Sequence, residues 1–217
     1  MEIFWHGHSC FTLKSKEATI VTDPYGGIGL KLPNLTADVV TVSHEHEDHA
    51  NIGAVGGNPK IFDWPGEYEV AGIPISGVEA FHYAESEGPE AEKRGKIIIF
   101  TMEMEDIKVC HLGDLGHKLT SELIEAIGTV DVLLIPVGGT YSLDHKKAHQ
   151  VIEQIDPRIV IPMHYKIDGL NMDIAPVELF LKEVGKSNLV PMEKLRLKKS
   201  DLPQENTDFV VLIPVLG

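Results

Sequence analysis

His44-Glu45-His46-Glu47-Asp48-His49 puts three imidazoles and a flanking carboxylate within six residues. Imidazole nitrogen and carboxylate oxygen are donors that suit a divalent cation, zinc first and also manganese or iron. In an extended segment alternate residues point the same way, so His44 and His46 can grip one cation together. Asp48 and His49 follow in what should be a turn and can face a second cation nearby. A lone His-x-His carries little information. The denser His-x-His-x-Asp-His run reads as a metal site rather than as a polar loop.

Three more candidates arrive from other parts of the chain. His82 follows the apolar run ending at Phe81. Asp114 closes His111-Leu112-Gly113-Asp114, and His164 closes Ile161-Pro162-Met163-His164. Each, like His44, lies just after a β-type segment, and loops at strand ends are where scaffolds hold reactive groups. Arriving separately, such residues would be unremarkable; the dense cluster is what makes their convergence credible.

The elements that must position these residues can be read from patterning. Residues 11–13 and 18–22 flank a polar stretch and form a hairpin. Residues 38–43, 73–81, 95–101, 107–111, 130–135, 158–161 and 208–213 read as strands. Residues 119–127, 144–155 and 173–184 have helical spacing; Gly128 stops the first, and Asp144 is a candidate N-cap of the second. This implies an α/β protein with sheets covered by helices. With no linker or repeat, residues 1–217 are expected to form a single domain. The charged stretch 85–94, with its Gly and Pro, reads as a surface loop.

The run His44-x-His46-x-Asp48-His49 resembles the H-x-H-x-D-H signature of the metallo-β-lactamase superfamily. Thr22-Asp23-Pro24 is similar to its early Asp motif, and His82, Asp114 and His164 to its later motifs. Gly7-His8-Ser9-Cys10-Phe11, Gly113-Asp114-Leu115-Gly116 and Pro162-Met163-His164 resemble a small lactonase-like branch that includes ascorbate-6-phosphate lactonase relatives. The resemblance implies a four-layer αββα sandwich with the site at one edge of two sheets. It also implies a ligand division: His44, His46 and His82 for a first metal, Asp48, His49 and His164 for a second, and Asp114 bridging. Two divalent ions would acidify a shared water toward neutrality, and the resulting hydroxide would attack a carbonyl carbon or phosphorus. Asp48 and Asp114 are then the catalytic carboxylates.

Other polar residues have two readings. Asp23 either orients a ligand histidine by a hydrogen bond or is a turn residue before Pro24. His111 either lines the site or is a satisfied buried histidine. His6 and His8 alternate on one face of a first strand, which leaves a site-facing His8 open. His117, His145 and His149 read as solvent-facing. Gly138-Gly139-Thr140-Tyr141-Ser142 is a candidate substrate loop.

A formal charge of −14 on 217 residues disfavours nucleic acid, which calls for a basic face. The basic cluster at 194–199 reads as a solvated face. No apolar run is long enough to cross a bilayer, the first residues lack a signal-peptide pattern, and the two cysteines build no disulfide framework. These point to the cytoplasm. The expected partner is a small-molecule substrate, with neither nucleic acid nor membrane, and a homo-oligomer is left open. Phosphodiester cleavage is the alternative activity, and a metal-binding sensor or scaffold without turnover the alternative class.

Overall fold

A computed structural model describes residues 1–83 and 95–217, so the loop expected at 85–94 lies outside the described residues. The strands in chain order are β1 (Glu2–Trp5), β2 (Phe11–Lys14), β3 (Thr19–Thr22), β4 (Leu35–Thr36), β5 (Val39–Thr41), β6 (Val55–Gly56), β7 (Lys60–Phe62) and β8 (Gly66–Val70). They continue as β9 (Ile73–Phe81), β10 (Lys96–Met104), β11 (Ile107–His111), β12 (Val132–Pro136), β13 (Ile159–Met163), β14 (Leu195–Arg196) and β15 (Asp208–Phe209). Among the described residues the α-helices are α1 (Ser121–Ile127), α2 (His145–Ile155) and α3 (Val177–Glu183).

Two mixed sheets share one core. The first runs β14-β1-β2-β3-β5-β7 and the second β15-β13-β12-β11-β10-β9-β8, while β4 and β6 form a small separate pair. Alternation along the first sheet decides its faces. Ile20 and Val39 join Ile3, Trp5 and Phe11 in the main core with Ile97, Ile99 and Leu133 of the second sheet. Their neighbours Val21 and Val40 turn the other way, into a smaller cluster with Tyr25, Leu35 and Leu170. Every residue of β12 and β13 is buried, as in a parallel sheet covered on both faces. The outer cover comes from the apolar stripes of the helices: Leu123 and Ile127, Ala148 and Val151, Phe180 and Leu181. The fold is the α/β sandwich that the resemblance implies.

Local chemistry accounts for the element ends. Thr120 caps α1 by accepting from the Leu123 amide, and Asp144 caps α2 by accepting from the Lys146 and Lys147 amides. The third helix starts at Val177 rather than 173, because Pro176 keeps the residue before it out of helical geometry. The closing strand ends at Phe209 rather than 213: Val211 instead accepts from the Met192 amide, which draws the chain off the sheet edge. The basic cluster at 194–199 is a set of exposed ion pairs, Lys194 and Arg196 on Glu2 and Lys199 on Asp131.

For the site, the chain's exits from β3, β5, β9, β11 and β13 matter most. They lead to Asp23, His44, His82, Asp114 and His164. The Ile98 amide donates to the Ser43 carbonyl at 2.8 Å and ties the two sheets together beside this cluster.

Candidate metal centre

The chain leaves β5 through bends at Ser43, His44 and Glu45, then turns on the His46 carbonyl, which accepts from the His49 and Ala50 amides. The segment is therefore not extended, as alternation alone would have it. The bends nonetheless bring the His44 and His46 rings together, with centroids 4.4 Å apart. His46 is exposed and Asp48 partly so, whereas His44, His49, His82, Asp114 and His164 are buried.

A hydrogen-bond chain fixes the tautomers. Asp23 accepts from the Ser43 amide at 2.7 Å and from Ser43 Oγ at 2.5 Å. With its proton committed to Asp23, Ser43 Oγ must accept from His44 Nδ1, 2.9 Å away. The other Asp23 donor is His49 Nδ1, also at 2.9 Å. Both rings carry their proton on Nδ1 when neutral, so both Nε2 lone pairs point into the site. Asp23 is thus a positioning residue, acting on one histidine directly and on the other through Ser43, whose part sequence reasoning missed. Its left-handed backbone, φ 38°, lets the carboxylate fold back under the His44 loop.

The inward atoms crowd one another at separations that suit ligands of a shared cation. His44 Nε2 lies 3.3 Å from His82 Nε2. Asp114 Oδ2 is 3.3 Å from both His49 Nε2 and His164 Nε2, and 3.9 Å from His82 Nε2. Two ligands bonded to one ion at about 2.1 Å sit about 3.0 Å apart at a right angle and about 3.4 Å apart at a tetrahedral one. A positive charge shared among them, a proton or a metal ion, suits atoms at these separations. The buried Asp114 Oδ1 has no hydrogen-bond partner among the described residues. Donor atoms that can hold a metal form three overlapping groups: His44, His46 and His82; His44, His49 and Asp114; and His8, His49 and His164. The donor set fits divalent cations.

Electrostatics follow the same logic. Burial disfavours ionisation of Asp114, but the adjacent His164 and His49 hold its carboxyl well below the usual range. Burial likewise opposes a charge on His49, yet the Asp114 and Asp23 carboxylates outweigh it and raise its pKa well above the ordinary imidazole value. A proton on His49 then stands in for a cation. Burial lowers His44 to about 3, leaving it a neutral donor.

The remaining candidates separate clearly. His111 is a satisfied buried histidine: Nε2 donates to the Ser9 carbonyl at 2.9 Å, and Nδ1 accepts from the Gly113 amide at 3.2 Å, shaping the turn before Asp114. His8 is not on a strand with His6; β1 ends at Trp5, and His8 sits in a turn whose buried ring reaches the site. His117 is buried rather than solvent-facing, with Nδ1 donating to the Lys118 carbonyl at 2.7 Å. His145 and His149 are half-buried. In the 138–142 loop, Ser142 Oγ lies 3.4 Å from His164 Nδ1, and Tyr83 donates to the Thr140 carbonyl at 2.6 Å.

Two facing sheets whose strand ends deliver such a His/Asp cluster define a metal-dependent hydrolase of the metallo-β-lactamase kind. A family model described as a beta-lactamase superfamily domain matches residues 2–164, and the chain belongs to that superfamily. A UPF0173 metal-dependent hydrolase of Thermoplasma acidophilum is 30% identical, the match covering 88% of this chain and 95% of that one. A solved structure from Thermotoga maritima, assigned to the Zn-dependent hydrolases of the metallo-beta-lactamase superfamily, is 44% identical with a TM-score of 0.78, covering 97% of each chain. Igni18, a metallo hydrolase of Ignicoccus hospitalis, shares the fold at 22% identity and a TM-score of 0.65, over 91% of this chain and 99% of that one.

Proposed function

We propose that the chain hydrolyses a small ester, lactone or phosphorylated molecule, using two divalent ions, zinc first and manganese or iron as alternatives. His44, His46 and His82 would hold the first ion, Asp48, His49 and His164 the second, with Asp114 shared. The observation that carries this reading is the position of Asp114: Oδ2 is ringed by His49, His164 and His82, and Oδ1 is buried without a partner among the described residues. When bound, such ions acidify a water and polarise the oxygen of the attacked group.

The chain's own residues supply the rest. Asp23 and Ser43 lock the His44 and His49 rings so that no reorientation accompanies loading. The Asp48 carboxyl is held low: burial opposes this, but the hydrogen bond from His8 and the His49 charge prevail. It thus remains an anion that can orient the attacking water. A cleft of about 380 Å³, lined in part by His44, His46, Trp64 and Lys96, opens beside the first triad. That is the size of a small-molecule site. Trp64 is 72% exposed at its rim, available to cover an apolar substrate group.

The lactonase-like character rests on the motif resemblance at Gly7-His8-Ser9 and Gly113-Asp114-Leu115-Gly116. A charge of −14 argues against a polymeric nucleic acid substrate. Among the described residues no helix is long and apolar enough to cross a membrane. The buried free thiols of Cys10 and Cys110 fit a reducing cytoplasm. The test is a screen of lactones, carboxylic esters and phosphate esters with metal-reconstituted protein, beside a binding assay with short RNA near physiological salt. We expect turnover of a small ester or lactone that chelation abolishes, and no RNA binding. Salt-sensitive RNA binding with cleavage, and no small-ester turnover, would overturn the assignment.

A further inference from the structure

We infer that His8 is an additional ligand of the second ion, so that this subsite has five protein ligands, His8, Asp48, His49, Asp114 and His164, against four at the first. The inference deepens the two-ion reading above and rests on it. The ligand division implied by the motifs has no place for this residue, which lies far upstream of them in the sequence.

Position comes first. The His8 ring is wholly buried, and its Nε2 lies 3.0 Å from His49 Nε2 and 3.2 Å from Asp48 Oδ2. Those separations match two ligands meeting one ion at angles between a right angle and a tetrahedral one. The ring also packs on His164, with centroids 4.3 Å apart, and the Nε2 or Nδ1 atoms of His8, His49 and His164 form a group able to hold a metal. With Nδ1 of His49 committed to Asp23, Nε2 is the atom of that ring left to meet an ion. His8 Nε2, 3.0 Å from it, lies where both nitrogens can reach one ion.

The backbone is built to hold the ring there. His8 adopts a left-handed conformation, φ 53°, which is costly for a residue with a Cβ and concentrates at functional sites. Its carbonyl accepts from Trp5 Nε1 and from the His164 amide, both at 3.0 Å, and the Cys10 amide closes the turn on the Gly7 carbonyl. The bond from His164 ties two members of the proposed subsite directly. Nδ1 of His8 has no hydrogen-bond partner among the described residues, in contrast to His49 and His44. Packing and the ion, rather than an outer hydrogen bond, would orient this ring.

A consequence concerns where substrate binds. Five protein ligands nearly fill the second ion's sphere, so the open positions fall on the first ion, beside the cleft lined by His44 and His46.

The test is calorimetric titration of metal-free wild type and His8→Asn with zinc, Asn being a residue that tolerates left-handed backbone. One equivalent should bind alike in both, and the one taken up at the His8 subsite, counted as the second, about 10- to 100-fold more weakly in the variant. With cobalt(II) in place of zinc, the visible absorption of the second equivalent should intensify as the coordination number falls. An identical second isotherm with an unchanged cobalt spectrum would overturn the assignment of His8 while leaving the two-ion reading intact. A wild type that takes up no second ion would sink both. Should His8→Asn fail to fold, the structure of cobalt-loaded wild type decides: His8 Nε2 about 2.1 Å from the ion supports the inference, and a distance above about 3 Å refutes it.

Discussion

Alanine at Gly138 would put its Cβ 2.1 Å from the His164 carbonyl oxygen and 3.2 Å from Ile174 Cβ. Carbon atoms of this kind essentially never approach backbone oxygen closer than 3.0 Å, so the two segments must part by about 1 Å. Relaxation is restricted, because the Gly138 carbonyl accepts from the Ala175 amide at 2.7 Å and the His164 amide donates to His8. A ligand atom tolerates about 0.2 Å of displacement before a metal bond suffers. Gly138→Ala should therefore weaken the second ion about 10- to 100-fold, as loss of supporting structure does elsewhere, and cost about 1–3 kcal/mol of stability through overpacking. Gly116→Ala is the mirror experiment: its Cβ would lie 2.1 Å from the His82 carbonyl oxygen, so the first ion should weaken instead. Gly53, where an added Cβ would meet nothing within 4 Å, is the neutral control. Stepwise zinc titration with a competing chromophoric chelator reads each affinity, and thermal denaturation reads stability. Wild-type affinity for both ions in Gly138→Ala would refute the reasoning.

Asp114→Asn keeps the shape of the proposed shared ligand but removes its charge; it should lower second-ion affinity about 10-fold or more and abolish most turnover, checked by metal content after dialysis and by initial rates. The metal-free protein should lose stability as pH falls from about 6.5 to about 4. Burial holds His8 at about 4 and His44 at about 3, so the unfolded chain, titrating near 6.5, takes up those protons first and stability falls. Asp48 and Asp114, held low, add to the loss only below about pH 4. His49, held high, acts oppositely: its contribution is full below about 6.5 and disappears as pH rises through its raised value. Urea midpoints of chelated protein should accordingly fall on the acid side of about pH 6.5; a midpoint that climbs steadily down to pH 4 would contradict this assignment of charges.

Much of this was legible because the ligand types are local signals. The six residues from His44 to His49 announce a metal site whatever the fold, and apolar strands followed by His82, Asp114 and His164 carry a positional signal. The parallel strands β12 and β13 were legible because full burial demands unbroken apolar runs. What was hidden depends on distance in space. Nothing near Ser43 in the sequence indicates that its hydroxyl relays Asp23 to His44. Gly116 and Gly138 look like ordinary loop glycines until the His82 and His164 carbonyls are seen against them. His8 reads as one of two alternating histidines, and only the turn after Trp5 swings its ring toward His49. The late start of α3 was readable from Pro176, whereas the early end of β15 depends on Met192 and was not.

The central claim is that one carboxylate, Asp114, organises two ions. Anomalous diffraction from crystals of the zinc-reconstituted protein tests it directly. The account predicts two peaks per chain about 3.5–4 Å apart, both within bonding distance of Asp114, one beside His44, His46 and His82 and the other beside His49 and His164. A single peak, or two peaks of which only one touches Asp114, would contradict it.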